Sequence, residues 1–561
     1  MMKKFLIFLA ALLAVSPALL RGDNPPVERI FISTDRGVYI AGDMVWCSLF
    51  CLDPSGHYSS LSAISYLELV SSEGTMSEAK IGLLEGRGAG SFRIPVSVPT
   101  GTYRLVAYTA ANTNEEGTKW MLGSKILTIF NTFSAARVKD GVEIIGEEDF
   151  SRKENNAEVK FGNLKLSTSV RVRKGEEFTL YLGNEGPASD VSLSVFNDDG
   201  LAPSVPANSI TDFMEALPGS CDVVANGTRP IEYNGEIITA KIVGNNSPVR
   251  EAPFASLSSA GAPSNAYFTA IEADHVSFYT NNIYGDRELV CDVSGMDGEV
   301  ESIEFESPFI NPSVGDLPKL LLSPAQKAAL TMRNYSLREE KGLRLDTLAS
   351  FIRHREDMFL QGTMFKRFHL DDYTRFPSVR EVLVEIVPSL TVRKEKGTHS
   401  IHMAVLDASD SRVFKVSNVL VMMDGVVLSD LDLLFSFDAM LLEDIDVYQQ
   451  AVICGSAVFS GVVNFITKKN YVTALTFSPK VKVLDFKGVS FPVAYLGKVP
   501  SGLKRDLRQV LYWNPSFRIG AGEERRLTLH APDYSGKFSA IAEGLTENGS
   551  PVRIEISFDV E

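Results

Sequence analysis

The feature that most constrains this fold is the rhythm of its apolar residues. Arg29-Ile-Phe-Ile-Ser-Thr34 alternates inward and outward positions, and similar runs follow at Met44–Leu52, Ser65–Ser71, Lys80–Leu84, Gly90–Pro95 and Gly101–Thr109. Gly, Ser, Pro and Asp turns separate them. A period of two puts every second side chain on one face of a strand, so each run has one face to bury. Short strands recurring every 8–12 residues or so satisfy that need as stacked antiparallel sheets, a β-sandwich. A single core rarely exceeds about 250 residues, so a chain of 561 residues should divide into several domains.

The balance of residue types agrees with a folded chain: 45% are hydrophobic and 22% charged. A net charge of −15 lacks the basic footprint that phosphate backbones require, which argues against nucleic acid and fits ordinary solubility. Residues 1–22 read as a secretory signal peptide. Met1-Met2-Lys3-Lys4 is basic, Phe5–Val15 is apolar but too short to span a bilayer, and cleavage is expected between Ala18 and Gly22. No cysteine stands near the cut to take a lipid anchor, and no later run suits a membrane helix. The expected location is the periplasm or the outer membrane, with the chain exported and not membrane-spanning. Cys47 and Cys51, four apart in one predicted strand, would sit about 13 Å apart at ~3.3 Å per residue, too far to bridge. With Cys221, Cys291 and Cys454 they read as buried apolar fillers, the alternative being a disulfide to a cysteine distant in sequence.

Several stretches resemble known families. Thr34-Asp-Arg-Gly-Val-Tyr-Ile-Ala-Gly-Asp43 and Pro99-Thr-Gly-Thr-Tyr-Arg-Leu-Val-Ala-Tyr108 resemble the macroglobulin-type domain of the alpha-macroglobulin and bacterial envelope families, here over 25–133. Tyr39 and Tyr103 would pack at sheet edges with hydroxyls needing partners, and Gly42-Asp43 marks a turn. Val170–Tyr181 and Val191–Asp198 suggest a second, partial sandwich of this type over 160–225. Asp198-Asp199-Gly200 could attract a hard cation, but the further ligands of a calcium loop are missing and the turn reading is preferred. Ile231–Val243, Ala266–Ile271, His275–Thr280 and Tyr284–Val290 resemble a carboxypeptidase regulatory-like sandwich over 226–310. Ser323-Pro324 opens a helical connection over 320–368, with Pro at the first helical position.

Residues 370–470 resemble the plug domain of TonB-dependent outer-membrane receptors. The order is a helix at Ser378–Ile386, strands at Leu390–Arg393 and His402–Leu406, the run Val419–Met422, an Asp424-Gly425 turn, and a helix capped by Ser429. The strand Ile445–Tyr448, a turn at Cys454-Gly455-Ser456 and Gly461-Val-Val-Asn-Phe-Ile-Thr-Lys-Lys469 follow. A receptor plug fills a barrel, and the residues after Asn470 are too few to supply long barrel strands. Residues 471–561, with Leu511-Tyr-Trp-Asn-Pro515 and the runs Glu524–Gly544 and Val552–Asp559, read as a C-terminal sandwich. The fold class expected is therefore mostly β and multidomain, with several immunoglobulin-like sandwiches, one α+β plug-like domain and a short helical connection.

Catalytic motifs are missing. Neither G-x-S-x-G nor a phosphate loop occurs, and the Cys-Gly-Glu-Gln thioester of trapping macroglobulins is absent. His354-Arg-Glu-Asp357 lacks zincin spacing, and His399 and His402 would face opposite ways on a strand. No catalytic, cofactor-binding or metal residue is expected. The expectation is a non-enzymatic envelope protein that binds or scaffolds a protein partner. The alternative is an accessory of an outer-membrane uptake system, contacting a barrel or an energy-coupling protein.

Overall fold

The computed structural model describes residues 27–561 except 115–120, 122, 134–141, 145–157, 162, 202–207, 218–228, 247–253, 262–264, 295–297, 343–349, 352–358, 361, 396–397, 407–412, 456 and 500–504. The signal peptide, Cys221, Ser456 and the His354–Asp357 motif lie outside the described residues. The fold is mostly strands and multidomain. The contacts of the described residues divide into two compact units, one within 1–233, 309–354 and 490–561, the other within 234–308 and 355–489.

In the first unit, β1 (Arg29–Thr34), β2 (Val38–Ile40), β3 (Met44–Leu52), β4 (Ile64–Ser71), β5 (Gly74–Leu84), β6 (Arg87–Arg93), β7 (Gly101–Tyr108) and β8 (Lys125–Phe130) form one ladder, ordered β1-β3-β6-β5-β4-β7-β8-β2. The ladder turns at β5, which pairs with β4 over most of its length and with β6 only at Leu83 and Leu84. Its two halves then face each other across Ile30, Ile32, Cys47 and Leu49 on one side and Leu67, Leu69, Leu105 and Leu127 on the other. That is the sandwich the alternation required.

A second sandwich in this unit joins distant parts of the chain. Strands 158–161, 164–167, 177–184 and 524–530 make one sheet; 171–172, 551–560, 536–546, 189–197 and 510–519 make the other. Phe178 to Leu182 and Val191 to Val195 pack against Leu511, Ile519, Phe538 and Ile554 in a single core. Two separate sandwiches over 160–225 and 471–561 were expected; the strands from Val510 onward instead complete the sheets begun near Leu164. The stretch expected as a helical connection contains strand 320–322, helix Lys327–Gly342 and strand 350–351.

In the second unit, strands 275–279, 237–246 and 298–305 face strands 266–270, 254–259, 287–292 and 481–486 around Ile238, Leu257, Phe278 and Leu289. The last strand of this sandwich comes from beyond residue 471, paired antiparallel with 287–292. A five-stranded sheet, ordered 366–369, 442–448, 461–467, 419–423 and 426–427, carries helices Val379–Ile386 and Leu431–Ser436 over a shared apolar core. Ser378 caps the first helix as its hydroxyl accepts the Glu381 N–H. The second helix is capped by Asp430, not Ser429: the Asp430 carboxylate accepts the Asp432 N–H, one residue later than the sequence spacing suggested. Among the described residues no helix is long and apolar enough to cross a membrane.

Candidate functional site

In the first sandwich, the Thr34–Asp43 motif folds into a buried polar knot. Asp35, 1% exposed, accepts from the Trp46 N–H at 3.0 Å and the Tyr39 hydroxyl at 2.8 Å. Arg36 donates to Asp43 at 2.8 Å and stacks over the Tyr39 ring, while Asp43 also accepts the Ile40 N–H. Burial pushes the Asp35 carboxyl up to about 6, opposed by the Arg36 charge beside it. The Tyr103 hydroxyl donates to the Pro99 carbonyl at 2.7 Å. Tyr39 belongs to a strand at one end of the ladder, whereas Tyr103 belongs to an interior strand. The motif holds its own turn together, and Thr34, Arg36 and Gly37 border the small cavity described next.

Between the first and second sandwiches lies a cavity of about 70 Å³ lined by Lys125, Glu543, Trp513 and Ser194 among others. Ser33 donates to Glu543 at 2.6 Å and Ser194 to the Asp35 carbonyl at 2.6 Å, tying the two sandwiches across it. Burial lowers the pKa of Lys125, partly offset by Glu543. Cys47, Cys51, Cys291 and Cys454 are free and buried; burial pushes the Cys454 thiol up to about 11, so these thiols are packing groups.

Asp199 is held by Arg333 of the 327–342 helix, whose Nε and Nη2 both reach its carboxylate. Arg333 also donates to the Val38 carbonyl at 2.6 Å. The Asp198–Gly200 turn therefore spends a carboxylate on a guanidinium. Among the described residues no group of three or more His, Cys, Asp or Glu side chains comes together to hold a metal ion.

In the second unit, Asp424 and Gly425 take φ of 49° and 82°, the left-handed pair that a tight hairpin needs. The Asp424 carboxylate accepts the Thr467 N–H at 2.7 Å and its hydroxyl at 2.6 Å, which fastens the turn to the end of strand 461–467. On the edge strand 366–369, Arg367 grips Asp446 with two bonds of 2.7 Å, and His369 Nδ1 lies 2.6 Å from Asp444. The Asp444 hydrogen bond raises the His369 pKa above the ordinary imidazole value. His399 contacts Asp432 and lies tilted against the Phe435 ring, while His402 lies near Ser400. The sequence reading missed Arg367, His369, Arg333 and Lys125. Two carboxylates spaced by one residue in the apolar run Leu442–Tyr448 were the available signal for the first pair.

A groove of about 600 Å³ runs along helix 327–342 in the first unit. Leu322, Pro324 and Leu330 contribute apolar surface, Tyr335 stands 58% exposed, and Lys327 and Arg338 are the first and last residues of the helix that line it.

No family model and no curated protein matches the chain. Among solved structures it is similar to Salmonella alpha-2-macroglobulin reacted with methylamine, at 12% identity over 96% of this chain and 40% of that one, with a TM-score of 0.24. Trypsin-activated alpha-2-macroglobulin from Escherichia coli matches at 9% identity, 95% and 41% coverage and a TM-score of 0.23. Dimeric latent PorU from Porphyromonas gingivalis matches at 12%, 50% and 34%, with 0.15. The chain spans about two fifths of the length of these macroglobulins. Likenesses at such TM-scores decide neither fold nor function.

Proposed function

We propose that this protein is a non-enzymatic, multidomain binding or scaffold protein of the cell envelope. The observation that carries the reading is where its motif carboxylates go. Asp35, Asp43, Asp199, Asp424, Asp444 and Asp446 are each engaged by a backbone N–H, hydroxyl, imidazole or guanidinium of the fold itself. Groups committed in this way position strands and turns; general acid–base work needs a carboxylate or imidazole facing a bound substrate. Export rests on the basic-then-apolar N-terminal segment, and attachment to a membrane would come through partners. The plug-like order of strands, Asp-Gly turn and helix in residues 370–470 would serve as an interaction module.

Cross-linking in intact cells followed by mass spectrometry tests this. Recovery of a defined envelope protein is expected, with the chain released by alkaline carbonate. Recovery of an outer-membrane barrel or energy-coupling protein would select the uptake-accessory reading. Resistance to carbonate, or cross-links to this chain alone, would sink the partner-binding proposal.

A further inference from the structure

We propose that the groove along helix 327–342 is a docking site for an extended, acidic segment of a partner protein with apolar residues between its carboxylates. This deepens the binding function proposed above and rests on it. The helix has two faces with different fates. Met332 packs on the second-sandwich core, and Leu337 is buried beside Leu320 and Phe130. On the same side the Ser336 hydroxyl donates to the Leu507 carbonyl at 2.7 Å, and Arg333 holds Asp199 at 3.0 Å and the Val38 carbonyl at 2.6 Å. That face anchors the helix. Lys327, Leu330, Thr331, Asn334, Tyr335 and Arg338 follow the i, i+3/i+4 rule along another face, and all of them line the groove.

Charge names the occupant. No carboxylate is among the described residues that line the groove. Among the described residues, no ion pair or side-chain hydrogen bond reaches the ammonium of Lys327 or the guanidinium of Arg338. At ~1.5 Å rise per residue their backbones stand about 16 Å apart along the helix, which an extended strand covers in about five residues at ~3.3 Å each. A segment with carboxylates about five residues apart would meet both cations. Its intervening apolar side chains would rest on Leu330, Pro324 and the Tyr335 ring, where an amphipathic aromatic side chain suits a half-wet contact. A volume of about 600 Å³ falls within the ~300–1,000 Å³ range of ligand-sized clefts.

The test uses the full chain and two fluorescein-labelled peptides read by anisotropy. The first is Gly-Glu-Leu-Ser-Phe-Thr-Glu-Gly; in the second both glutamates are replaced by lysine. The acidic peptide is expected to bind saturably, to weaken as salt rises, and to lose about tenfold or more in affinity to the double variant K327E/R338E; the lysine peptide should not bind. The double variant's unfolding temperature is checked first, because both side chains are exposed. A second variant, Tyr335→Ala, should weaken the acidic peptide at unchanged salt dependence. Equal binding of both peptides, equal binding by K327E/R338E, or no binding of the acidic peptide would overturn the groove assignment. If a partner is still cross-linked in cells in that event, the binding function stands and only this site falls.

Discussion

Asp35 shows how much one buried carboxyl can set. Its folded pKa of about 6 lies above the ordinary carboxylate value because burial disfavours the charged form more than Arg36 and the Tyr39 and Trp46 donors favour it. The native state therefore holds the proton more tightly than the unfolded chain does. The stabilisation from this site is fully present below the unfolded pKa and is lost as pH rises through about 6, amounting to at most about 3 kcal/mol for a shift of roughly two units. Asp35→Asn should flatten that part of the pH dependence, measured as the difference in unfolding free energy between the two proteins at pH 4.5 and 7. Parallel curves would remove Asp35 as its source. Asp424 makes a sharper case, being a non-glycine residue at φ 49° whose carboxylate satisfies two donors of Thr467. Asp424→Ala strains the backbone and strands a buried N–H and hydroxyl, so a loss of about 2–4 kcal/mol is expected in urea denaturation. Asp424→Asn keeps an acceptor and tolerates the left-handed region, so its loss should be clearly smaller. Equal losses would mean that the turn depends on something other than this carboxylate.

At the scale of elements, what was legible in the sequence is what short range dictates. The Asp424-Gly425 turn, the helix placed at Ser378–Ile386 and the strand that begins at Gly461 follow from local backbone preference; the structure has the turn and strand there, and the helix starts at Val379 with Ser378 as its cap. The second cap moved from Ser429 to Asp430 because both residue types cap equally well and adjacent candidates compete. Cross-strand charge pairs were not legible, since alternation shows that Asp444 and Asp446 share a face without naming the strand opposite. The register His369↔Asp444 and Arg367↔Asp446 supplies that partner. His369 is raised by its bond to Asp444, so the stabilisation it gives is present below the unfolded imidazole value and is lost as pH rises through its folded pKa. In proton-detected NMR titration, His369 should titrate above an ordinary imidazole, and Asp444→Asn should return it to the usual range; an unchanged midpoint would break the assignment. Arg333 plays the corresponding part for helix 327–342. Arg333→Met leaves Asp199 and the Val38 carbonyl without their donor, so a loss of about 3–5 kcal/mol and faster amide exchange in the helix are expected.

On the scale of the whole molecule, the hidden information is which strands meet across hundreds of residues. Alternation in Glu177–Asn184 and Glu524–His530 shows that each is half-buried, but both patterns are satisfied by any apolar face, and a period of two carries no address. The structure pairs them directly, Phe178 opposite Leu529 and Leu180 opposite Leu527, and pairs Val191 with both Phe517 and Gly544. The chain must therefore travel out through the second unit and return before this core can close. Such long-range pairing carries its loop-closure cost before any contact repays it, which slows folding. A chain ending after Val489 would keep both segments of the second unit, whose cores draw only on residues before that point. It would lose strands 510–519, 524–530, 536–546 and 551–560, leaving Phe178, Leu180, Leu182 and Val191–Val195 facing water. The expected result in limited proteolysis is rapid cleavage between about Leu164 and Asn197, with fragments from 237–305 and 366–486 protected as in the full chain. Equal protection of residues 164–197 in the shortened chain would show that this sandwich closes without its C-terminal strands, and the pairing would then be a late addition to an already stable core.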